Sequence, residues 1–150
     1  MNKNNFDIRR LEKVFNNMVE TMDESKKDIF KISEDSRKTY EQLKVELEIV
    51  QAEVTQIIDS SDELEEETQP ARRHLAKVSQ EFDRHTEREL KEAYEVANEL
   101  LVRLSINRLE EKQLRERRDE LERRITALVE TVERADQLAG QVTIVLNYLT

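Results

Sequence analysis

Two histidines, 34 carboxylates and a cluster of arginines are the groups in this 150-residue chain that could do chemistry. A metal site needs ligands that converge on one point. His74 and His85 are eleven positions apart, which on a straight helix puts them on one face but about 16 Å apart. They cannot share one ion there, and the expectation is two exposed structural histidines. The carboxylates are spread as on any solvated helix face, with no pair set aside for acid–base work. Neither GxxxxGK[ST] nor GxGxxG occurs, so no phosphate-cradling loop is legible. No nucleophile has a base at a triad's spacing. The sequence thus assigns no catalytic, cofactor-binding or metal-binding residue.

The arginine cluster lies in 110–124 (EEKQLRERRDELERR). Basic runs of this kind bind nucleic acid when they carry net positive charge and interleaved aromatics. Here the acids nearly cancel the bases and no aromatic is present, so a salt-bridged helix face is the better account. The net charge of −9 also disfavours nucleic acid and anionic lipid as direct partners.

The elements that carry these groups are helices. Charged residues make up 39% of the chain and aromatics 5%, with one glycine and one proline. Sharp turns lean on Gly, Pro, Asn and Asp, so few are expected. Glu, Lys, Arg, Leu, Ala and Gln favour helix, and no run alternates apolar and polar as a half-buried strand would. With no cysteine, the chain has neither disulfide nor thiol chemistry, which fits a reducing compartment. The N-terminus lacks the apolar core of a secretory signal. The longest apolar stretch, 142–149, is too short to span a bilayer. A cytoplasmic protein without a membrane span is the expectation.

Apolar residues recur at spacings of three and four. One stripe takes in Phe15, Val19, Met22, Ile29, Tyr40, Leu43, Leu47, Val50, Val54, Ile57, Leu64, Ala71, Leu75, Val78 and Phe82, with polar members at Lys26, Ser33, Ser36, Ser61 and Thr68. A second takes in Leu90, Ala93, Ala97, Leu100, Leu104 and Leu114. It then runs without interruption through Leu121, Ile125, Leu128, Val132, Ala135, Ala139, Val142, Leu146 and Leu149. This is the signature of helices that pack lengthwise, and those last nine residues are the candidate relay seam. Near Tyr94 and Leu101, and again at Val145, the stripe is wider than a two-helix seam requires. A broad face suits a helix with more than one neighbour, as when two hairpins form a homodimeric four-helix bundle.

The two stripes do not share a register. Thr86 and Glu89 read as a capping box that restarts a helix. Ser60 with Glu63, and Pro70, are further candidate breaks. Residues 46–67 hold nine acids and no base, whereas 103–124 hold eight bases and six acids. Folding the chain back near residue 85 sets these windows side by side, Leu47 near Leu121 and Leu43 near Ile125. It also sets the polar gap at Ser60, Ser61 and Asp62 beside Asn107 and Arg108. The expected fold is therefore all-α: a short helix over about 5–22, then long helices over about 24–82 and 86–150, paired as an antiparallel coiled-coil hairpin with arms of roughly 60 residues, about 90 Å. The alternative is one continuous parallel coiled-coil rod.

The run 110–124, followed by Leu128, Glu130, Glu133, Arg134 and QVTIVLNYL at 141–149, resembles the N-terminal sensor region of the Bacillus-type DegS family of sensor histidine kinases. The likeness takes in Ser36 to Leu43 and 82–94 and covers nearly the whole chain, strongest from about residue 110. It implies a cytoplasmic, dimeric two-component kinase. The helical sensor region would lead into a dimerisation helix with the phosphoacceptor histidine and then an ATP-binding domain, with a DNA-binding response regulator as partner. The family's phosphoacceptor lies in a Glu-(Ile/Leu)-His-Asp context that neither His74 nor His85 has. The chain stops at Leu149 and Thr150 in mid-pattern and is expected to be cut from a longer protein. The implied role is a signal-sensing, dimerising module with no cofactor of its own; ATP and magnesium belong to the absent kinase core. A structural coiled-coil spacer or protein-interaction module is the alternative.

Overall fold

The structure, a computed structural model, describes residues 3–81, 83 and 85–150, with side chains described from Asp7 onward. It consists of two helices, α1 (Lys3–Gln80) and α2 (Glu87–Leu149), with no strand among the described residues. Phe82, which the spacing puts in the seam, lies outside the described residues. The chain divides into two compact units, one Glu46–Glu122 and the other Met1–Val45 with Arg123–Thr150.

α1 is unbroken where the sequence offered breaks. The separate helix expected over 5–22 is not separate, because α1 continues from Lys3 to Gln80. Val19, Met22, Lys26 and Ile29 are all half-buried, so the four–three spacing carries through that point with Lys26 as its polar member. Ser60 to Glu63 start no new helix either. Pro70 sits inside α1. A proline removes its own N–H and crowds the carbonyl four residues back, which is that of Glu66. Both residues are exposed, so water can take the freed carbonyl.

The break comes at the register change. The last α1 turn extends through the Glu81 N–H to the Lys77 carbonyl at 3.0 Å. α2 then opens on Thr86, whose hydroxyl accepts the Glu89 N–H at 3.2 Å while its carbonyl accepts the Leu90 N–H at 3.2 Å. This is half of the expected capping box. The Glu89 carboxylate does not return to the Thr86 N–H; it takes the His85 ring at 2.7 Å instead.

In the unit Glu46–Glu122 the two helices form an antiparallel hairpin, which excludes the continuous rod. Three polar contacts cross it: Arg108 to Glu65 at 2.8 Å, Asn107 Nδ2 to Ser60 Oγ at 3.0 Å, and Arg117 to Glu46. The acidic window of α1 thus faces the basic window of α2, and the two polar gaps meet. In the unit Met1–Val45 with Arg123–Thr150, Asp136 joins α2 to α1. It accepts the Ser33 hydroxyl at 2.8 Å and the Arg37 guanidinium at 2.6 Å.

Candidate functional site

With no assigned catalytic residue, the candidate site is the pairing seam. In the unit Glu46–Glu122, α1 buries Val50, Val54 and Val78, and α2 buries Ala93, Ala97 and Leu121. Leu121 has no exposed surface. In the other unit Leu43 and Ala135 are buried, and Ile125, Leu128, Val132, Ala139, Val142, Leu146 and Leu149 are half-buried. All nine residues expected to form the relay seam therefore turn inward. A side chain taken from water contributes roughly 25 cal/mol per Å² of apolar surface, so this stripe, not the surface ion pairs, holds each helix pair together.

The seam is not purely apolar. Ser33, Ser61 and Thr68 are buried in it. Thr68 satisfies its hydroxyl on the Leu64 carbonyl at 2.6 Å, and Ser33 donates to Asp136. Ser61 is different: its Oγ is buried with no hydrogen-bond partner. An unmet buried hydroxyl costs about 1–3 kcal/mol, so this layer pairs less favourably than an apolar one would. The stretch between Leu104 and Leu114, which shows no apolar seam residue in sequence, is filled by half-buried Asn107 and Glu111. Glu111 accepts Arg115 at 2.9 Å. Extending the three–four spacing through polar residues would have found both.

Charge is set at the flanks. The Arg117 guanidinium is held above its ordinary range, first by its hydrogen bond to Glu46 and by that carboxylate's charge, with Glu120 adding a little. Arg108 with Glu65 and Arg37 with Asp136 also cross between the helices, whereas Arg88 with Glu92 and Lys27 with Asp23 are exposed contacts within one helix. Such pairs contribute only about 0–1 kcal/mol each.

The histidines depart from expectation. His74 is exposed, but His85 is half-buried and sits between two carboxylates, Nδ1 2.7 Å from Glu89 and Nε2 3.4 Å from Glu81. The chain turns between His74 and His85, so straight-helix spacing does not apply. Both line a cavity of about 350 Å³ with Val78, Ala93 and Val96. Among the described residues, no group of three His, Asp or Glu side chains is placed to hold a metal ion.

A second apolar surface stays open. In the unit Glu46–Glu122, α2 exposes Tyr94, Val102, Ile106 and Leu109, on the side of the helix turned away from the seam. In the other unit α2 exposes Leu138, Ile144, Val145 and Tyr148, and α1 exposes Ile8, Leu11, Val14, Phe15 and Met18. Phe15, expected in the seam, is exposed. No helix among the described residues is long and apolar enough to cross a membrane.

A family model described as "Sensor protein DegS" matches residues 12–150. The chain is 46% identical over 149 residues to the signal transduction histidine-protein kinase/phosphatase DegS of Bacillus subtilis (strain 168), covering 99% of this chain and 39% of that protein. It is 45% identical over 144 residues to the protein of the same description from Brevibacillus brevis, covering 96% of this chain and 37% of that one. The chain thus spans about two fifths of the length of these curated relatives. These 150 residues correspond to the sensor region and lack the kinase core. No solved structure matches the chain.

Proposed function

Because the chain belongs to the DegS sensor family, we propose that it is the dimerising input module of a cytoplasmic two-component histidine kinase, and that it passes its signal on as a change in helix packing. The whole protein would bind ATP and magnesium in a separate kinase core, phosphorylate a histidine there and hand the phosphoryl group to a response regulator. The 150 residues would supply the input and none of that chemistry.

The observation that carries this reading is the inward stripe of α2 from Ile125 to Leu149, which keeps its three–four spacing for the whole of its run. A packed seam is not continuously deformable; it switches between discrete arrangements. A signal that favours one arrangement would turn or slide the helix, and everything joined to it would move with it. The open strip of Tyr94, Val102, Ile106 and Leu109 supports dimerisation, since contiguous apolar patches on a helix surface mark sites of association. Two copies joined there would make a four-helix bundle.

Light scattering after size exclusion tests the dimer. The parent chain should have twice the chain mass of 17.9 kDa. Ile106→Glu should bring the mass to that of one chain while the helical circular dichroism persists. A parent chain that is monomeric at high micromolar concentration would refute dimerisation through this strip.

A further inference from the structure

Burial on the first helix stops abruptly. Every described side chain from Asp7 to Met18 is exposed, and the first half-buried residue is Val19. The pairing register explains the boundary. Ser33 on α1 lies opposite Asp136 on α2. In an antiparallel pair, each step toward the N-terminus of α1 is matched by one step toward the C-terminus of α2. Fourteen such steps bring Val19 opposite Thr150. In that register residues 8–18 of α1 have no counterpart among residues 123–150 of α2.

These residues are not a polar tail. Ile8, Leu11, Phe15 and Met18 fall at helical spacings of three and four, and they are 53%, 67%, 40% and 53% exposed. Phe15 stands four residues before Val19, in line with the seam that Val19, Met22 and Ile29 continue. A helix this apolar on one side and solvated all round is costly in water.

We propose that this strip is the docking site for the stretch of the same polypeptide that comes after Thr150 in the full-length kinase, which continues α2 by about three turns against Ile8, Leu11, Phe15 and Met18. The proposal rests on the reading of the chain as the input part of a longer kinase. Its relatives are more than twice as long as the matched region. A second copy is the rival occupant. Continuity of register and stripe with the existing seam favours the same chain, because the strip is the unfilled end of one groove and not a separate patch. In the full-length protein the N-terminal turns of α1 then grip the helix that leads toward the kinase core.

The test uses full-length kinase with a photo-crosslinking phenylalanine analogue at Phe15, mixed as isotopically labelled and unlabelled subunits. Mass spectrometry then reads which subunit each crosslinked peptide comes from. The expected crosslink is to the same subunit, about four residues beyond Thr150, because Phe15 lies four before Val19 in a register of one step per residue. Crosslinks to the other subunit, or none to the region after Thr150, would overturn the proposal. Hydrogen exchange gives a second reading. Amides over 8–18 should exchange at least about tenfold more slowly in the full-length protein than in the 150-residue chain. Equal exchange rates contradict docking. Neither readout uses kinase activity, so they can fail while the input-module reading stands, and the reverse.

Discussion

Arg117 on α2 donates to the Glu46 carboxylate on α1, and the same guanidinium reaches Glu120 on its own helix at 3.4 Å. The charge windows of the sequence thus meet at a specific pair, and the pair specifies orientation more than it adds stability. Arg117→Glu should lower the melting temperature by placing like charges opposite each other. Combining it with Glu46→Arg should restore most of the loss, and the restored part should shrink in 1 M salt, where the Debye length is about 3 Å. A double variant no more stable than Arg117→Glu alone would show that the pair does not act across the helices.

Ser61 is buried with its hydroxyl unmet. Ser61→Ala removes that group with little change of volume and with a better helix former. It should stabilise the chain by about 1–2 kcal/mol, read from urea unfolding. A loss of stability would mean that the hydroxyl has a partner in solution.

Leu121 is the most enclosed large side chain of the seam. Leu121→Ala should cost roughly 2–5 kcal/mol. Ile49→Ser, at an exposed position of α1 outside the open strip, should leave unfolding nearly unchanged. Equal effects at the two sites would deny the seam its place as the core.

A Cβ added at Gly140 meets nothing within 4 Å. The glycine is therefore not required by close packing beside Ala135 and Ala139, and Gly140→Ala should stabilise α2 by about 1 kcal/mol. Destabilisation on chemical unfolding would show that a partner approaches that face.

Much of this was legible in the sequence because hydrophobic periodicity is a local signal that tertiary packing seldom overrides. Every described seam residue except Phe15 faces inward, and Thr86 begins the second helix. The meeting of Ser60 with Asn107 came from matching polar gaps about one fold point. The features that were not legible depended on context. Pro70 reads as a breaker, yet an exposed Glu66 carbonyl tolerates it. The helix expected over about 5–22 is not separate, because Lys26 keeps the spacing from Met22 to Ile29, and its stem can lie along the seam while the amine reaches water. His85 reads as exposed, yet Glu81 and Glu89, four residues to either side of it in sequence, both reach its ring. The hydrogen bonds from Ser33 and Arg37 to Asp136 carry no pattern that spacing alone could reveal.

The central claim, that helix packing is the signal, is tested by insertions in the full-length kinase. Matched heptads between Thr39 and Tyr40 of α1 and between Val129 and Glu130 of α2 lengthen both arms of the unit that holds Asp136. They nearly preserve the phase and the register. A single residue between Val129 and Glu130 turns the remainder of α2 by about 100°. Circular dichroism should confirm that both variants remain helical. The measurement is the rate of autophosphorylation with labelled ATP and magnesium. The account predicts a rate close to the parent's for the matched heptads. For the single insertion it predicts a rate at least about fivefold higher or lower, the lower end of typical coupling energies. Equal rates in the parent and both variants would contradict it and leave the chain a structural spacer.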